Sequence, residues 1–584
     1  MIGITKKLFL ILNNKQKYFV FLLVFMMLLG GIMESMSVSM ILPLITAIMD
    51  TETWNQKWYA QIVCSLFGVA DHRTYIVVLL VLLVGIFVIK NIYLIWEYKI
   101  QASFIGDCRY DMQAGLIHSY IHKPYKFYLS VKYGEVIRII DNDVTGVFNL
   151  FSHVLIFYTE IIVSIVLGVT VMTMSPTMAG GMITLLFVEL IIISKILKPI
   201  MRNSGNKHRL QTSIANKWLL QALSGIKSIK VSNTEDYFET NYKKNARQNS
   251  LLLAQFQTLM GLPRLLMEAC TISGVLLMML ILVLYGADME SLVPQLSAFI
   301  VAAIRLLPSA NRITNSVNQV PFYEGGLDAI INVLRECDYD EKQNSILKQL
   351  NKNDCLKIPF EESIKFEKLS FSYSSDEKNN ILENVDLEIA VGDSVGIIGP
   401  SGAGKTTTVD IMLGLLTPCS GSVLIDGIDI RDNLSGWLSH VAYIPQTIFL
   451  MDDTIRANVA FGVNPDEISD DIIMQAIDDA QLGDFIRNLP DGLNTCVGEQ
   501  GVRLSGGQRQ RIGIARALYK NPDILFFDEA TSALDNETEE AIMESINHLK
   551  GRKTLIIIAH RLTTIEKCDV IYKVDNKKIY KVKG

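Results

Sequence analysis

Six long apolar stretches with very few charged residues dominate the first 320 residues of this chain. They are residues 18–48, 75–96, 147–174, 178–194, 251–285 and 291–320. An α-helix needs about 20 mostly apolar residues to cross the hydrocarbon core of a bilayer, which is about 30 Å thick. Because each stretch reaches or approaches this length, the sequence predicts six transmembrane helices, of which the fourth is the shortest.

The composition supports a membrane protein that also has a large soluble part. Of the 584 residues, 50% are hydrophobic and 20% are charged, whereas an average soluble domain carries about 25% charged residues. The net charge of −6 argues against a nucleic-acid partner. The eight cysteines contain no CxxC pair, so neither a thiolate metal site nor a disulfide scaffold is predicted.

The charges between the apolar stretches predict the orientation in the membrane. Six Lys and Arg residues lie in residues 99–138, and eleven lie in residues 195–247 against only three acids. Short loops rich in Lys and Arg stay in the cytosol. Both long loops, both termini and the soluble part are therefore predicted to be cytoplasmic. Residues 4–12 precede an apolar stretch that is too long for a signal peptide, and we expect them to form an interfacial helix.

The composition and periodicity of the sequence change after residue 335. Residues 336–362 are polar with little periodicity and are interpreted as a linker. Beyond them, short β-rich stretches alternate with helical patterns, and four of these stretches have the character of buried strands. They are residues 394–398, 441–444, 524–527 and 554–558. The sequence thus predicts a membrane domain at 1–335 and an α/β domain with a mainly parallel sheet at 363–584.

A phosphate-binding loop of the pattern GxxxxGK[ST] follows the first of these strands. Its glycines let backbone N–H groups and the N-terminus of the next helix face phosphate oxygens. We expect Lys405 to contact the β- and γ-phosphates and the Thr406 hydroxyl to bind Mg²⁺. The predicted nucleotide-binding residues of this segment are Gly399, Pro400, Ser401, Gly402, Ala403, Gly404, Lys405, Thr406 and Thr407.

Two carboxylates, Asp528 and Glu529, directly follow the apolar stretch at residues 524–527. Ligands bind at the carboxyl ends of strands in open parallel sheets. Asp528 is therefore predicted to hold Mg²⁺, directly or through water, and Glu529 to polarise the attacking water as a general base.

Leu504-Ser505-Gly506-Gly507-Gln508, taken with the two preceding motifs, resembles the signature of the ATP-binding-cassette ATPases over residues 366–580. The resemblance implies ATP and Mg²⁺ as cofactors. It implies that Tyr373 stacks on adenine, that Gln446 contacts Mg²⁺ and that His560 contacts the γ-phosphate. The further nucleotide contacts that it implies are Ser505, Gly506, Gly507, Gln508 and Asp535. The catalytic residues would then be Glu529, His560, Lys405 and Gln446.

Six spans followed by one cassette resemble an exporter-type half-transporter: a helical membrane bundle fused to a P-loop α/β domain. In that family the signature loop of one cassette closes over the phosphate loop of another, so the resemblance implies a second copy of the chain, and a C₂ homodimer is the default. It also implies a multi-pass protein of the bacterial inner membrane, in contact with membrane lipids. Residues 223–230 resemble the coupling helix that docks on the partner's cassette; the alternative is an ordinary solvated basic helix.

Four cations inside the predicted spans bear on the cargo, because charges within a membrane are costly and usually face a cavity. Lys90, Arg264, Arg305 and Arg312 lie about 22, 31, 21 and 31 Å from the outer ends of their spans. Arg305, Ser309, Arg312 and Ser316 also share one helix face. They predict a positive cavity for a lipid-linked anionic substrate. The alternatives are anchors at the cytosolic interface and internal ion pairs.

Three segments of the membrane half resemble the lipid-linked oligosaccharide flippases of bacterial protein glycosylation. They are Gly261-Leu-Pro-Arg264, the stretch from Arg305 to Arg312, and Glu34 with Pro43. This resemblance implies movement of a polyprenyl-pyrophosphate oligosaccharide from the inner to the outer leaflet. The alternatives are an exporter of lipid A-like lipids, drugs or peptides with the same fold, and a regulatory cassette protein that does not hydrolyse ATP. Glu529, His560 and the complete signature argue against the last.

Overall fold

The computed structural model describes residues 1–39, 58–68, 71–174, 176–284, 289–350, 359–373, 380–528, 550–558 and 565–584, together with Leu44 and Ile48. The chain divides into two compact units. The helical unit comprises Met1–Lys123 and Ser130–Asp340, and the α/β unit comprises Pro124–Leu129 and Glu341–Gly584. The short segment 124–129, which lies in the first basic loop, thus groups with the α/β unit.

The first 350 residues form eleven described helices, most of them long. They are α1 Ile2–Ile11, α2 Asn14–Ser39, α3 Trp58–Phe67, α4 His72–Ile121, α5 Tyr125–Tyr128, α6 Tyr133–Ile137, α7 Val144–Met174, α8 Pro176–Ser224, α9 Ile226–Ser232, α10 Glu235–Leu284 and α11 Met289–Leu350. A π-helical stretch, Arg138–Asp143, joins α6 to α7. Helix α1 confirms the helix predicted at residues 4–12.

Each predicted span falls on one of the long helices α2, α4, α7, α8, α10 and α11, so the helical character of the apolar stretches is confirmed. Residues 40–43 and 45–47 of the first stretch lie outside the described residues. Within the described part of the chain, three segments are long and apolar enough to cross a membrane: Asn14–Glu34, His72–Ile121 and Tyr133–Val166. The total of six spans stays a prediction.

The first half of the predicted linker at 336–362 is helical, because α11 continues to Leu350; its role as a linker stays a prediction. This part of the chain is rich in Lys, Glu, Gln and Leu, which favour helix even where no apolar stripe marks it. A helix that is already nucleated extends at little cost per residue. The segment predicted as a coupling helix at 223–230 overlaps the short helix α9.

A buried carboxylate holds the π-helical stretch against α8. Asp143 accepts a hydrogen bond from Arg138 Nη1 at 2.5 Å and two from Arg209, from Nε at 3.1 Å and from Nη2 at 3.0 Å. Gly326 of α11 lies directly against this carboxylate, since a Cβ atom at Gly326 would be 3.3 Å from Asp143 Oδ1. One acid therefore connects three helical segments of the helical unit.

The α/β unit contains two sheets. The strands are β1 Ser363–Phe371, β2 Leu382–Ala390, β3 Ser394–Ile398, β4 Ser420–Ile425, β5 Ile428–Asp429, β6 Val441–Ile444, β7 Ile524–Asp528, β8 Thr554–Ile558, β9 Val570–Asp575 and β10 Lys578–Lys583. The antiparallel sheet has the order β2-β1-β4-β5, and the main sheet has the order β10-β9-β3-β8-β7-β6. In the main sheet only β9 and β10 pair antiparallel. The four predicted strands and the α/β class are confirmed.

Alternate residues of the central strands enter two different cores. The helices of this unit are α12 Lys405–Met412, α13 Leu434–Leu438, α14 Ile455–Val459, α15 Asp470–Asp479, α16 Gly483–Arg487 and α17 Gly506–Tyr519. Phe526 of β7 packs in the core that contains α12, whereas Phe527 packs in the core that contains α14 to α17. All residues of β7 and β8 are buried, as expected for parallel strands covered on both faces.

Replacing Asp143 by alanine tests its structural role. Asp143→Ala leaves Arg138, which is 7% exposed, without its buried partner, and we expect a loss of about 3–5 kcal/mol in the free energy of unfolding. In detergent solution the Tm should fall by about 10 °C. Glu135→Ala is the matched control, because Glu135 also pairs with Arg138 but is 54% exposed; its effect should stay below about 1 kcal/mol. Equal Tm values for the two variants would contradict this role.

Candidate functional site

The main sheet places several predicted site residues at one edge. Parallel pairing aligns Ile444 of β6 with Phe527 of β7, and Asp528 of β7 with Ile558 of β8. Strand β3 is also parallel to β8. The segments that follow β3, β6, β7 and β8 therefore all leave the sheet at its carboxyl edge, where open parallel sheets bind ligands. Glu529 and His560 follow β7 and β8 but lie outside the described residues.

The predicted phosphate loop connects β3 to α12 in a conformation that requires glycine. Gly402 and Gly404 have φ values of +79° and +105°, which other residues rarely adopt. A Cβ atom at Gly399 would lie 2.3 Å from the Val574 carbonyl oxygen. The backbone thus forms a side-chain-free cradle in front of the N-terminus of α12, which is the arrangement that binds phosphate.

The two polar side chains that begin α12 differ in their environment. Lys405 is buried, and its Nζ donates hydrogen bonds to the carbonyl oxygens of Gly399 at 2.9 Å and Pro400 at 3.2 Å. Its ammonium group therefore lies over the phosphate loop. Thr406 is exposed, so its hydroxyl is available to a metal ion. Both positions fit a bound nucleoside triphosphate.

Tyr373, the predicted adenine-stacking residue, lies beside the same loop. Its hydroxyl is 3.0 Å from Thr407 Oγ1 in a hydrogen bond. Its ring packs edge-on against Phe371, with 5.0 Å between ring centroids. Because the side chain is nevertheless exposed, one face of the ring is open to a flat ligand next to the phosphate loop.

A cluster of acidic and phenolic groups lies at the end of β7. Asp528 is buried and accepts a hydrogen bond from the Tyr443 hydroxyl at 3.1 Å. Burial, and then the negative charge of Asp528, raise the pKa of Asp410 to about 6. Burial and the charge of Asp528 also raise the pKa of Tyr443 above its usual value. The corner has an excess of negative charge that a cation would relieve.

Sequence reasoning missed Asp410. It lies on α12 one and a half turns after Lys405, between Val409 and Ile411. Its carboxylate is one of the few charges in a helix whose residues are nearly all buried. That position, an acid within a buried stretch next to a phosphate loop, was the available signal.

The predicted Mg²⁺ ligands are oxygen donors of the kind that this ion prefers. Gln446 is exposed just beyond β6, and Asp528 and Thr406 are described above. Among the described residues there is no group of three or more His, Cys, Asp or Glu side chains that would hold a metal alone. A hydroxyl, an amide and a carboxylate therefore fit an ion that is held mainly by nucleotide phosphates.

The signature residues form the N-terminus of α17. Ser505 caps this helix: its Oγ accepts from Gln508 N at 3.2 Å, and Gln508 Oε1 accepts from Ser505 N at 2.8 Å. Gln508 was predicted as a nucleotide contact, but its side chain is used in this cap. Within the described part of the chain, no hydrogen bond joins these residues to the phosphate loop. Asp535 lies outside the described residues.

The predicted cations of the membrane half have different surroundings. Lys90 is only 6% exposed, with Nζ 5.0 Å from the centroid of the Phe87 ring, so it does not present its charge to an open cavity. Arg264 is exposed on α10. Arg312 is 49% exposed, and its Nε lies 2.8 Å from Oε1 of Glu160 on α7. The side chain of Arg305 lies outside the described residues.

The expectation that Ser309 and Ser316 line an open cavity is wrong for this structure. Both are buried within the helical unit, and Ser309 hydrogen-bonds Glu160. For Ser309 the reason is the buried Glu160 carboxylate, which needs hydrogen-bond donors and a counter-ion from the facing helix. Sequence reasoning missed this partner, although Glu160 is the only charge in its apolar stretch.

Two family matches agree with the division of the chain into two units. The family described as "ABC transporter" matches residues 382–532, and the family described as "ABC transporter transmembrane region" matches residues 19–307. The chain belongs to the ABC transporters and has the organisation of an exporter-type half-transporter. Its ATP-binding domain, the cassette, hydrolyses ATP to drive transport across a membrane.

Individual relatives share parts or most of this organisation. An "ATP-dependent lipid A-core flippase" of Dechloromonas aromatica is 29% identical over 491 residues, 84% of this chain and 82% of that protein. A protein of the same name from Francisella novicida is 37% identical over 284 residues, 48% of this chain and 46% of its own length. The structure of a bacterial Atm1-family ABC exporter with ATP bound has a TM-score of 0.75 and 23% identity, and covers 97% of this chain and 95% of its own. That structural likeness shows the fold.

Replacing Asp410 by asparagine should stabilise the protein at high pH. The pKa of Asp410 is raised to about 6 from 3.8, so its contribution to stability is complete below pH 4 and is lost as the pH rises through 6. Asp410→Asn should raise the free energy of unfolding by about 2–3 kcal/mol at pH 8, and by progressively less as the pH falls from 6 toward 4.

Thermal unfolding of the full chain in detergent at several pH values measures this effect. Asp484→Asn is the control, because the Asp484 side chain is fully exposed; its Tm should match the wild type throughout. A lower Tm for Asp410→Asn at pH 8 would show that the ionised carboxylate is stabilised by contacts that asparagine cannot replace.

Proposed function

We propose that the chain works as a homodimer in the bacterial inner membrane, with its cassettes in the cytoplasm. The dimer would move a phosphate-bearing glycolipid from the inner to the outer leaflet. The observation that carries the cargo proposal is the position of Arg264 on α10 and Arg312 on α11. Both are exposed within predicted spans, at the predicted depth of the inner headgroups.

A single helix contact locates these two arginines relative to each other. Thr314 of α11 donates a hydrogen bond to Met267 Sδ of α10 at 3.8 Å. Arg264 precedes Met267 by three residues and Arg312 precedes Thr314 by two, which places each arginine within about one turn, or 5 Å, of that contact. The backbone positions of the two arginines therefore lie within about 8 Å of each other along the helix axes.

Guanidinium groups at this depth favour phosphate. Arginine binds phosphate oxygens through two parallel N–H groups, and such charge-assisted bonds are about twice as strong as neutral ones. A cationic or neutral drug gains nothing from them. A lipid whose phosphate or pyrophosphate lies at the inner leaflet is therefore the cargo class that these residues support.

Two cargoes of this class remain, and different observations favour each. The names of the Dechloromonas and Francisella relatives favour a lipid that resembles lipid A with its core. The segments Gly261–Arg264 and Arg305–Arg312, which resemble the oligosaccharide flippases, favour a polyprenyl-pyrophosphate oligosaccharide. Both carry phosphate at the headgroup and a large glycan beyond it.

We assign ATP binding and hydrolysis to the carboxyl edge of the main sheet. We assign to Lys405 the contact with the β- and γ-phosphates and to Tyr373 the adenine. Thr406, Gln446 and Asp528 would hold Mg²⁺, which, when bound, neutralises phosphate charge during hydrolysis. Glu529 would take the proton of the attacking water, and His560 would contact the γ-phosphate.

Closure of this site requires a second copy. The N-terminus of α17 is exposed at Ser505 and offers backbone N–H groups to an anion. Since no hydrogen bond among the described residues joins it to its own phosphate loop, the partner's loop is the proposed ligand. Each of the two ATP sites would then combine Lys405 of one copy with Ser505 of the other.

Mixing two inactive variants tests this shared site. Lys405→Ala removes the phosphate contact, and Ser505→Arg blocks the signature loop, so either variant alone should lose ATPase activity. Half of the dimers that form at random from an equal mixture are mixed, and each contains one site without a lesion. The mixture should therefore recover up to about a quarter of the wild-type activity. Wild-type activity in Ser505→Arg alone would contradict the shared site.

Lipid-stimulated ATPase activity in vesicles tests the cargo. One charge-assisted contact contributes about 1.5–3 kcal/mol. Arg264→Ala or Arg312→Ala should therefore raise the half-stimulating concentration of the true cargo by about 10- to 150-fold. Lysine at either position should restore part of the affinity, because it keeps the charge but loses the planar fork.

The probes are a lipid A-core lipid, a polyprenyl-pyrophosphate oligosaccharide and a cationic amphiphile. The lipid whose stimulation depends on both arginines is the cargo. If only the cationic amphiphile stimulates, and the alanine variants respond to it as the wild type does, the flippase proposal fails and a drug exporter takes its place.

A further inference from the structure

A buried carboxylate lies next to one of the two proposed lipid-binding arginines. Glu160 of α7 has a side chain that is 9% exposed, and Arg312 Nε approaches its Oε1 at 2.8 Å. Ser309, which lies almost one turn before Arg312 on α11, hydrogen-bonds the same carboxylate. The second oxygen of Glu160 has no hydrogen-bond partner among the described residues. Among the described residues, Arg312 and Ser309 of α11 are the polar partners of this carboxylate.

The closest approach in the ion pair is at Nε, the inner nitrogen of the guanidinium group. Arginine carries five N–H donors in a rigid plane, one on Nε and four on the two terminal nitrogens. The approach of Glu160 is at Nε, while half of the Arg312 side chain is exposed. The terminal nitrogens, which form the fork that binds phosphate with two parallel hydrogen bonds, are therefore at the open end of the side chain.

This arrangement separates two possible roles for Glu160. A carboxylate bound across the terminal fork would compete with a phosphate for the same donors. A carboxylate bound at Nε instead fixes the plane and the direction of the fork before the ligand arrives. Fixing a flexible side chain in advance removes an ordering cost that binding must otherwise meet, which is about 0.5–1.5 kcal/mol for a long side chain.

We propose that Glu160 is a positioning residue of the lipid site, which holds Arg312 by Nε so that its terminal N–H groups face the anionic head of the cargo. This inference rests on the proposed function and adds a residue that does not itself touch the lipid. It also explains why a carboxylate lies in a site for an anion: Glu160 is on the closed side of Arg312, and the phosphate would bind on the open side.

The apparent affinity for the stimulating lipid tests the proposal. Glu160→Ala should raise the half-stimulating concentration of the phosphate-bearing lipid by about 3- to 10-fold, with a much smaller change in the maximal stimulated rate. Glu160→Gln should stay within about 2-fold of the wild type, because its amide oxygen can still accept from Nε. Glu189→Ala is the matched control: Glu189 is an acid within the fourth predicted span that lies beside Thr271 rather than a cation, and the variant should behave like the wild type.

A double-mutant cycle separates positioning from a general structural role. If Glu160 acts through Arg312, adding Glu160→Ala to Arg312→Ala should cause no further loss of apparent affinity. Ser309→Ala provides a second route, because it loosens Glu160 without changing Arg312, and it should raise the half-stimulating concentration by about 2-fold. This variant also serves if Glu160→Ala does not fold.

Three results would overturn the proposal. Tighter lipid binding by Glu160→Ala would show that Glu160 competes with the lipid for Arg312. An equal loss of apparent affinity from Glu160→Ala with and without Arg312 would show that Glu160 has an independent role. An apparent affinity of Glu160→Gln as low as that of Glu160→Ala would show that the charge of Glu160, not its hydrogen bond, matters. Failure of the proposed function is distinguishable, because in that case Arg312→Ala itself leaves the response to both lipids unchanged.

Discussion

Burying a charge costs several kcal/mol unless an opposite charge or a hydrogen-bond donor lies beside it, and this cost shapes the packing of the helical unit. Asp143 draws Arg138 and Arg209 onto one carboxylate and so connects the start of α7 to α8. Glu160 does the same between α7 and α11 through Arg312. In both cases the acid is on or next to α7, so this helix supplies the negative charge that its neighbours must match.

The buried acids of the α/β unit have different surroundings. Asp528 and Asp410 lie close enough for the charge of Asp528 to raise the pKa of Asp410, and Asp528 accepts a hydrogen bond from the hydroxyl of Tyr443. Neighbouring carboxylates of this kind are expected where a cation arrives with the ligand. In the helical unit, Asp143 and Glu160 thus pair with arginines, whereas two acids lie beside each other at the carboxyl edge of the main sheet.

Local signals explain what the sequence could predict. The length of the apolar stretches predicts the long helices, and the buried strands around residues 394–398 and 524–527 predict the parallel sheet, because each pattern depends only on its own segment. The phosphate loop is predictable for the same reason, since the positive φ values of Gly402 and Gly404 demand glycine. The parallel pairing of the strands alone predicts that Asp528 and this loop lie at the same edge of the sheet.

The contacts that the sequence did not predict depend on which helix packs against a given residue. Ser309 and Ser316 share a helix face with Arg312, but only the structure shows that this face packs against Glu160 rather than lining a cavity. Lys90 is buried against Phe87 for a reason of the same kind. The polar extension of α11 to Leu350 has no periodic apolar pattern, so the sequence did not predict it. Of the four cations from which a positive cavity was predicted, Arg264 and Arg312 are exposed and Lys90 is buried, while the side chain of Arg305 lies outside the described residues.

Leaflet accessibility in reconstituted vesicles tests most directly whether ATP turnover moves a phosphate-bearing glycolipid. The labelled lipid is placed in the leaflet that faces the cassette, and its arrival in the opposite leaflet is followed with a membrane-impermeant quencher. Transfer is expected with ATP and Mg²⁺, and none is expected with a non-hydrolysable analogue. Transfer at the same rate under both conditions, or ATP-driven transfer of a cationic amphiphile but of neither phosphate-bearing lipid, would contradict the proposed function.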